Sequence, residues 1–406
     1  MTEAAFAFGD GENTGAGPAY TLEHFFKTAI QQGLPIAVWR LPDTTQVQAC
    51  VSFQKNLIVA QPVLEESPFG FFFCPFEEKD NQKNLFIQAD VYFDATSGSL
   101  TVREGVSQES QAAFMATLQQ QKINTGWHAA SGTNPPSAQT EENFKNAVAE
   151  AVSVIREEQM EKVVLSRNRT YPLPAAFDIL EANAAMRSAY PRAFVSLVSV
   201  PGAGTWMGAS PEILVSIDQQ QIFRTVALAG TQPAVEDVSE AIWRQKEIEE
   251  QGMVERYILS CFKKLRLREY TEVGPKTVVA GKLMHLRTDF KVDMKEVDFP
   301  RLGTDMLHLL HPTSAICGLP KEPALQFIQA HEGYNRSYYS GYLGPCNSPA
   351  GTHLYVNLRC MQILSDAAVL YAGAGITGES SPEKEWQETQ HKMQTMHQVL
   401  SRFESS

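Results

Sequence analysis

The sequence predicts an α+β fold in which large, mainly antiparallel β-sheets are flanked by helices. Its predicted strands mostly follow one another, without the regular β-α-β alternation that is typical of a parallel sheet. Segments with helical periodicity separate the groups of strands. The chain of 406 residues exceeds an average domain, but large α+β proteins can fold around one continuous core.

The composition indicates a globular protein and argues against two classes of partner. The content of 43% hydrophobic and 20% charged residues is ordinary for a chain with a buried core. The net charge of −12 disfavours nucleic-acid binding, which usually needs a basic surface. It also means that an anionic substrate would need local Lys, Arg or metal charge. No apolar run reaches the roughly 18 residues that span a bilayer.

The cysteines and the start of the chain favour a cytoplasmic protein. Six cysteines are present, and none forms a C-x-x-C pair of the kind that binds zinc. The chain begins without a recognisable signal peptide. We therefore expect reduced and mostly buried thiols.

The N-terminal third is predicted to hold one small helix and several strands, including PIAVWRLP, VQACVSF and LFIQADVYFD. Residues 1–19 are rich in Gly, Ala and acidic residues and are predicted to be loosely held. Residues 104–140 are polar, and their last ten, SGTNPPSAQT, are the best candidate for an internal linker.

The rest of the chain has a richer pattern. A helix is predicted to start at Thr140, because apolar residues recur at helical spacing after it. Further helices are predicted over Ala176–Tyr190, Asp237–Arg268, two short segments within 300–331, and Ser381–Phe403. The predicted strands between them are KVVLSRNRTY, AFVSLVSV, TWMGAS, EILVSID, QIFRTVALAG, VVAGKLMHLRTDF, LYVNLRCMQIL and AAVLYAGAGIT.

Two helices carry acidic pairs at a spacing of three, Glu247 with Glu250 and Glu385 with Glu388. This spacing places both carboxylates of a pair on one helix face. Four carboxylates from two helices can hold Mg²⁺, which prefers oxygen ligands. Solvated surface charge explains the same spacing, and Lys392 follows Glu388 at the distance of an ordinary ion pair. The spacing alone leaves both interpretations open.

A glycine-rich segment, Gly373–Thr377, precedes the last helix and is predicted to be a turn. Its backbone N–H groups can cradle an anion, although it lacks the Walker A pattern. The alternative is a plain tight turn before a helix capped by Ser381 with Pro382 at its first position.

Single charged residues in apolar surroundings are the remaining candidates. Lys162 opens a strand and either snorkels to the surface or acts as a desolvated base. Glu212 is either a surface-turn carboxylate or an acid held protonated in a pocket. Arg359 is predicted inside an apolar strand, where a guanidinium needs an anion. His285 and His311 show no zinc or triad spacing and are more typical of structural histidines.

The order of ten short segments points to one family. The chain contains, in sequence, KVVLSR, ASPE, RTVALAGT, KEIEEQGMV, HLRT, HPTSAICG, YYSGYLG, NLRC, YAGAGI and EWQETQHK. From about Thr140 onward it resembles the chorismate-utilising enzymes, which include the isochorismate, salicylate, anthranilate and aminodeoxychorismate synthases. The resemblance implies the anthranilate synthase component I-like fold, with residues 1–139 as its variable N-terminal part and residues 140–406 as the chorismate-binding catalytic region.

The resemblance also implies a role for each motif. Lys162 corresponds to the base that activates water, and Glu212 to the general acid for the departing C4 hydroxyl. Glu250 and Glu385 correspond to the closest Mg²⁺ ligands, with Glu247 and Glu388 beside them. The residues implied to bind the substrate are Arg359 and Lys392 at its side-chain carboxylate, Gly375 through its amide, and Tyr339, Tyr371, Ala229, Gly230, Thr231 and His285 in the walls.

Three positions favour the isochorismate synthase group within this family. Aminodeoxychorismate synthases often carry Lys where this chain has Ala229, and anthranilate synthases usually carry Gln where it has Lys162. Both differences favour water as the nucleophile, and the HPT-x-A-x-C-G segment resembles the plain isochorismate group. One departure is Gln251, where the family commonly has His.

The implied activity is Mg²⁺-dependent conversion of chorismate to isochorismate, for menaquinone or catechol siderophore biosynthesis. A monomer without a glutaminase subunit is implied as well. A salicylate synthase and a non-catalytic chorismate-binding protein are the two alternatives.

Overall fold

A computed structural model describes residues 20–79, 82–120, 126–130, 139–235, 237–280 and 283–404. Its helices are α1 (Leu22–Gln31), α2 (Gln108–Leu118), α3 (Glu141–Arg156), α4 (Ile179–Ala189), α5 (Gln245–Lys264), α6 (Leu302–Leu310), α7 (Lys321–His331) and α8 (Pro382–Leu400). The predicted loose residues 1–19 and nearly all of the predicted linker lie outside the described residues.

The strands form two antiparallel sheets, which confirms the predicted α+β class. In chain order they are β1 (Ile36–Arg40), β2 (Gln48–Val51), β3 (Gly70–Cys74), β4 (Leu85–Gln88), β5 (Val91–Asp94), β6 (Ser99–Val102), β7 (Lys162–Pro172), β8 (Phe194–Val200), β9 (Gly204–Ser210), β10 (Ile213–Ile217), β11 (Ile222–Pro233), β12 (Thr271–Ala280), β13 (Leu283–Asp293), β14 (Gly318–Leu319), β15 (Tyr342–Cys346), β16 (Thr352–Val356), β17 (Cys360–Ile363) and β18 (Ala367–Ile376).

The first sheet has ten strands in the order β14-β7-β18-β17-β9-β8-β1-β2-β5-β6. The second has eight, in the order β12-β13-β11-β10-β16-β15-β3-β4. Aromatic side chains fill the layer between them. Phe194 of β8, for example, stacks on Tyr355 of β16 with ring centroids 4.2 Å apart. Strands from the N-terminal third extend both sheets, and the division of the chain at residue 139 remains a prediction.

Capping side chains explain where the helices begin. The hydroxyl of Thr140 accepts a hydrogen bond from Asn143 N, as the predicted start of α3 requires. The carboxylate of Asp178 accepts two backbone N–H groups at the start of α4, three residues later than predicted. Ser381 precedes α8 and Pro382 is its first residue, as predicted, but the Ser381 side chain makes no capping hydrogen bond.

The long charged helix was predicted too long. Asp237 accepts hydrogen bonds from Ser239 and caps a separate short 3₁₀ turn, so α5 begins only at Gln245. At the other end Arg266 adopts a positive φ of 56°, which stops the helix. Among the described residues no helix is both long and apolar enough to cross a bilayer. All six cysteines are unpaired and buried, as expected.

Two local predictions were wrong. The segment Gly373–Thr377 was predicted both as the end of the strand AAVLYAGAGIT and as a turn; the turn is wrong, because its first four residues pair with β7 as the end of β18. The predicted strand LYVNLRCMQIL is broken into β16 and β17, which belong to different sheets. Arg359 lies in the break with a positive φ of 49°. In both cases the structure is decided by pairing with distant strands, which the local sequence does not show.

Candidate active site

A cavity of about 130 Å³ opens between the two sheets and the helices α5 and α8. The predicted site residues that line it are Lys162, Glu212, Ala229, Gly230, Thr231, Glu247, Glu250, His285, Tyr339, Arg359, Tyr371, Gly375, Glu388 and Lys392. Glu385 lies outside this lining and reaches it through Lys246, a lining residue that the sequence analysis did not single out. The structure therefore brings residues from nine separate motifs to one place.

Lys162 is buried at the start of β7, so the snorkelling interpretation is wrong. Its side chain is 1% exposed, and its Nζ donates a hydrogen bond to Glu250 Oε1 at 2.8 Å. Gly375 of β18 pairs with Val164 of β7 and lies next to this ion pair. A Cβ at Gly375 would lie 2.9 Å from Glu250 Oε1 and 3.0 Å from Lys162 Cε. Glycine is thus required here because it leaves room for the ion pair.

Glu212 occupies the turn between β9 and β10 and is not a surface carboxylate. It is 8% exposed and lines the cavity. Burial raises the pKa of Glu212 to about 7, although the positive charges of Lys162 and Lys392 act in the opposite direction. A carboxylic acid that still holds its proton near neutral pH is suited to protonate a leaving group.

Glu250 behaves in the opposite way. Burial disfavours its ionised form, but the charge and hydrogen bond of Lys162 outweigh burial and lower the pKa of Glu250 below its usual value. Lys392 and Lys246 act in the same direction from further away. The cavity therefore contains one carboxyl group that keeps its proton and one that has lost it.

The other three predicted metal ligands also have partners. Glu385 Oε1 accepts a hydrogen bond from Lys246 Nζ at 3.1 Å, while burial raises the pKa of Glu385. Glu388 pairs with Lys392 at 2.7 Å. Glu247 Oε2 accepts a hydrogen bond from the backbone N–H of Arg244 at 3.0 Å. Only part of the acidic set is surface charge, because Glu385 is almost fully buried.

Carboxylate oxygens are the type of ligand that a hard cation such as Mg²⁺ prefers, but the four carboxylates are not arranged around a common point. Three of them line the same cavity, and the buried Glu385 Oε2 has no hydrogen-bond partner among the residues that the structure describes. In the described part of the chain, however, no three His, Cys, Asp or Glu side chains are close enough to hold a metal ion. The ammonium groups of Lys162 and Lys246 occupy two of the carboxylates. A cation that takes the same two oxygens, Glu250 Oε1 and Glu385 Oε1, would need these ion pairs to open.

A positive end of the cavity is formed by Arg359 and Lys392. The backbone break between β16 and β17 presents Arg359, and burial lowers the pKa of its guanidinium. None of the ion pairs between described residues includes Arg359, so its charge is available to an anion. Lys392 Nζ donates to the carbonyl of Gly373 at 2.9 Å, on the strand beside it.

His285 presents a neutral imidazole to the cavity. Its Nδ1 lies 2.9 Å from the carbonyl oxygen of Gly230, an acceptor, so Nδ1 carries the hydrogen and Nε2 is an acceptor. Burial lowers the pKa of His285 to about 4. His311, by contrast, contacts the backbone carbonyls of Pro75 and Phe76 away from the cavity lining.

A buried ion pair that the sequence analysis missed connects two parts of the cavity lining. Arg336 donates to the carboxylate of Glu332, to the carbonyl of Val164 at 2.7 Å and to the carbonyl of Ile316 at 2.7 Å. Glu332 in turn accepts from the backbone N–H of Ser166. Val164 and Ile316 both line the cavity. The only sequence signal was a Glu and an Arg four residues apart in a Gly/Tyr-rich segment.

Comparison with known proteins adds a family. A family model described as chorismate binding enzyme matches residues 21–401. The vibriobactin-specific isochorismate synthase of Vibrio cholerae serotype O1 is 28% identical over 64% of this chain and 67% of its own. The isochorismate synthase DhbC of Bacillus subtilis is 28% identical over 80% of this chain and 82% of its own.

A solved structure supports the fold. The menaquinone-specific isochorismate synthase MenF from Escherichia coli superposes with a TM-score of 0.74, covering 93% of this chain and 91% of that one, at 24% sequence identity. At this identity the similarity shows the shared fold.

Proposed function

Because the chain belongs to the chorismate-binding enzyme family, we propose that it is an isochorismate synthase, which converts chorismate to isochorismate. The observation that carries the proposal is the placement of Lys162 and Glu212 in one cavity, a buried amine and a buried acid whose pKa is about 7. The names of the relatives support the same activity.

The reaction needs one base and one acid. Water adds to C2 as the ring double bonds shift, and the C4–O bond breaks. Lys162 accepts a proton from the attacking water, and Glu212 gives its proton to the departing hydroxyl, which leaves as water. Atoms balance, because one water enters and one leaves. To act as the base, Lys162 must first be released from its ion pair with Glu250.

Substrate orientation is assigned to the positive end of the cavity. Chorismate carries two carboxylates, and Arg359 and Lys392 are placed to bind the one on its side chain through charge-assisted hydrogen bonds. The backbone around Gly375 and the walls formed by Tyr371, His285 and residues 229–231 complete the pocket. An acidic protein in this way binds an acidic substrate through local cations.

We propose Mg²⁺ as the cofactor, held by Glu250 and Glu385 with Glu247 and Glu388 beside them. The support is the oxygen-only donor set and the unpartnered Glu385 Oε2. Bound there, the ion would neutralise and orient the ring carboxylate. We further propose that the protein works as a monomer without a glutaminase subunit and feeds menaquinone or catechol siderophore biosynthesis.

The test is incubation of the purified protein with chorismate and MgCl₂, followed by chromatographic separation of products. Isochorismate alone, lost on addition of EDTA, is the expected result. Salicylate with pyruvate would instead make the protein a salicylate synthase. Chorismate binding by calorimetry without any product would identify a non-catalytic chorismate-binding protein.

A further inference from the structure

A buried glutamine fills a gap beside the cavity wall. β10 pairs with β11 only at the start of β11, at Phe223 and Arg224. Further along, where β11 forms the wall, the element on that side is α5. Gln251 projects from α5 and is 1% exposed. Its Oε1 accepts the backbone N–H of Ala229 at 3.0 Å, and its Nε2 donates to the carbonyl of Ala227 at 3.2 Å.

These two bonds reproduce what a neighbouring strand would supply. The groups at positions i and i+2 of one strand edge need one donor and one acceptor, and a carboxamide offers both on one planar group. The same Nε2 also lies 3.1 Å from Thr288 Oγ1 and 3.1 Å from Glu255 Oε1. A carboxylate at position 251 lacks the donor, and an apolar side chain lacks both groups.

The bonds fall on the last part of β11 that is in regular register with β13, directly before a break. The register of β11 against β13 shifts between Ala229 and Gln232, so the regular ladder stops there. Gly230 sits in this shift with a φ of 64°, and a Cβ on it would lie 3.1 Å from Glu247 Cβ. The wall and the helix that carries Glu247 and Glu250 are therefore in close contact, and Gln251 is the polar link between them.

We propose that Gln251 is a positioning residue that sets the Ala229-Gly230-Thr231 wall at the correct distance from Glu247 and Glu250. It touches neither substrate nor reacting atoms and acts through the backbone of Ala229 and through its neighbour Glu250. This inference rests on the proposed function, because the wall and the two carboxylates matter only if chorismate binds between them. Misplacement of a catalytic wall by about 1 Å can cost on the order of a hundredfold in rate.

The experiment compares Gln251→Met with two controls. Gln251→Met keeps the length of the side chain and removes both hydrogen bonds, and it is expected to lower kcat/KM by at least about tenfold. Glu255→Gln keeps an acceptor for Nε2 and should stay within about twofold of the parent. Gln48→Met removes another buried glutamine on β2, six strands from β7, and should change stability without changing kcat/KM.

Three further measurements separate the possible outcomes. Circular dichroism and melting curves establish that each variant is folded, and Gln251→Glu replaces Gln251→Met if the latter is not. Hydrogen exchange of the peptide containing Ala229 should accelerate in Gln251→Met but not in Glu255→Gln. Chorismate affinity is measured by calorimetry and needs no turnover. It therefore tests the role of Gln251 even if the parent protein makes no isochorismate. Unchanged affinity and unchanged kcat/KM in folded Gln251→Met would overturn the proposal.

Discussion

Two walls of the cavity each present a glutamate, Glu212 buried and Glu250 part-buried, yet the pKa values of the two shift in opposite directions. On the β9–β10 turn, burial raises the pKa of Glu212 to about 7. On α5, the pKa of Glu250 falls below its usual value despite burial, because Lys162 donates to it directly. Both feel the charge of the same lysine. The difference teaches that a direct hydrogen bond to an ammonium group decides which glutamate becomes the proton donor.

Replacing Lys162, which acts on both glutamates, should have the largest effect and should make the pKa values of Glu212 and Glu250 more alike. We expect Lys162→Met to lower isochorismate formation by at least about 10³-fold, because the base is lost. The loss of its charge should also raise the pKa of Glu250. Lys145→Met, which removes a lysine paired with Glu141 on α3, is the control and should retain activity. Near-parental turnover by Lys162→Met would remove Lys162 from its role.

Replacing Glu212, the proposed acid, tests the other glutamate of the comparison. We expect Glu212→Gln to lower kcat by about 10² to 10⁴-fold with chorismate affinity largely kept, because the amide cannot protonate the leaving hydroxyl. In the parent, kcat/KM should fall as pH rises above about 7, since Glu212 then loses the proton it must deliver. A rate profile that keeps rising between pH 7 and 9 would contradict this assignment.

Glu385, on α8, tests the proposed metal site. We expect Glu385→Gln to weaken the Mg²⁺ dependence of turnover by about tenfold or more, or to abolish activity, because a carboxylate ligand is lost. Glu383 lies two residues earlier on α8 at an exposed position, and Glu383→Gln serves as the matched control. An MgCl₂ titration unchanged in Glu385→Gln would exclude Glu385 from the site.

The smallest effect concerns stability. The pKa of Glu212 is raised from 4.5 to about 7, so the folded protein holds a proton that the unfolded chain releases. The resulting stability is complete below pH 4.5 and is lost as pH rises through 7. Glu212→Gln avoids this loss. Its free energy of unfolding relative to the parent should therefore increase from pH 5 to pH 8, by at most about 3 kcal/mol.

Urea unfolding of Glu212→Gln and the parent at the two pH values measures this increase. Glu240→Gln, at an exposed position in the 3₁₀ turn, should show no such dependence. A constant difference between Glu212→Gln and the parent would mean that Glu212 titrates normally.

Local patterns in the sequence were enough to predict the class of the fold and the identity of most lining residues. The order of motifs identified Lys162, Glu212 and Arg359 as site residues before any distance between them was known. What could not be predicted depends on contacts between distant residues. The turn interpretation of Gly373–Thr377 failed because Gly373–Ile376 pairs with β7, about 200 residues earlier. The resemblance marked Gln251 as a departure from the family pattern, but its bonds to the edge of β11 could not be predicted, because periodicity contains no information about that edge.

Arg336 also imposes an order of events on the newly made chain. Its guanidinium holds the carbonyl of Val164, which lies 172 residues earlier. At a synthesis rate of roughly 5–20 residues per second, β7 waits on the order of ten seconds for this partner. For most of that time the strand that begins with Lys162 lacks both neighbours, because β14 is made shortly before Arg336 and β18 after it. The pocket is therefore among the last parts of the molecule to form, and the half-made chain has nowhere to hold a substrate.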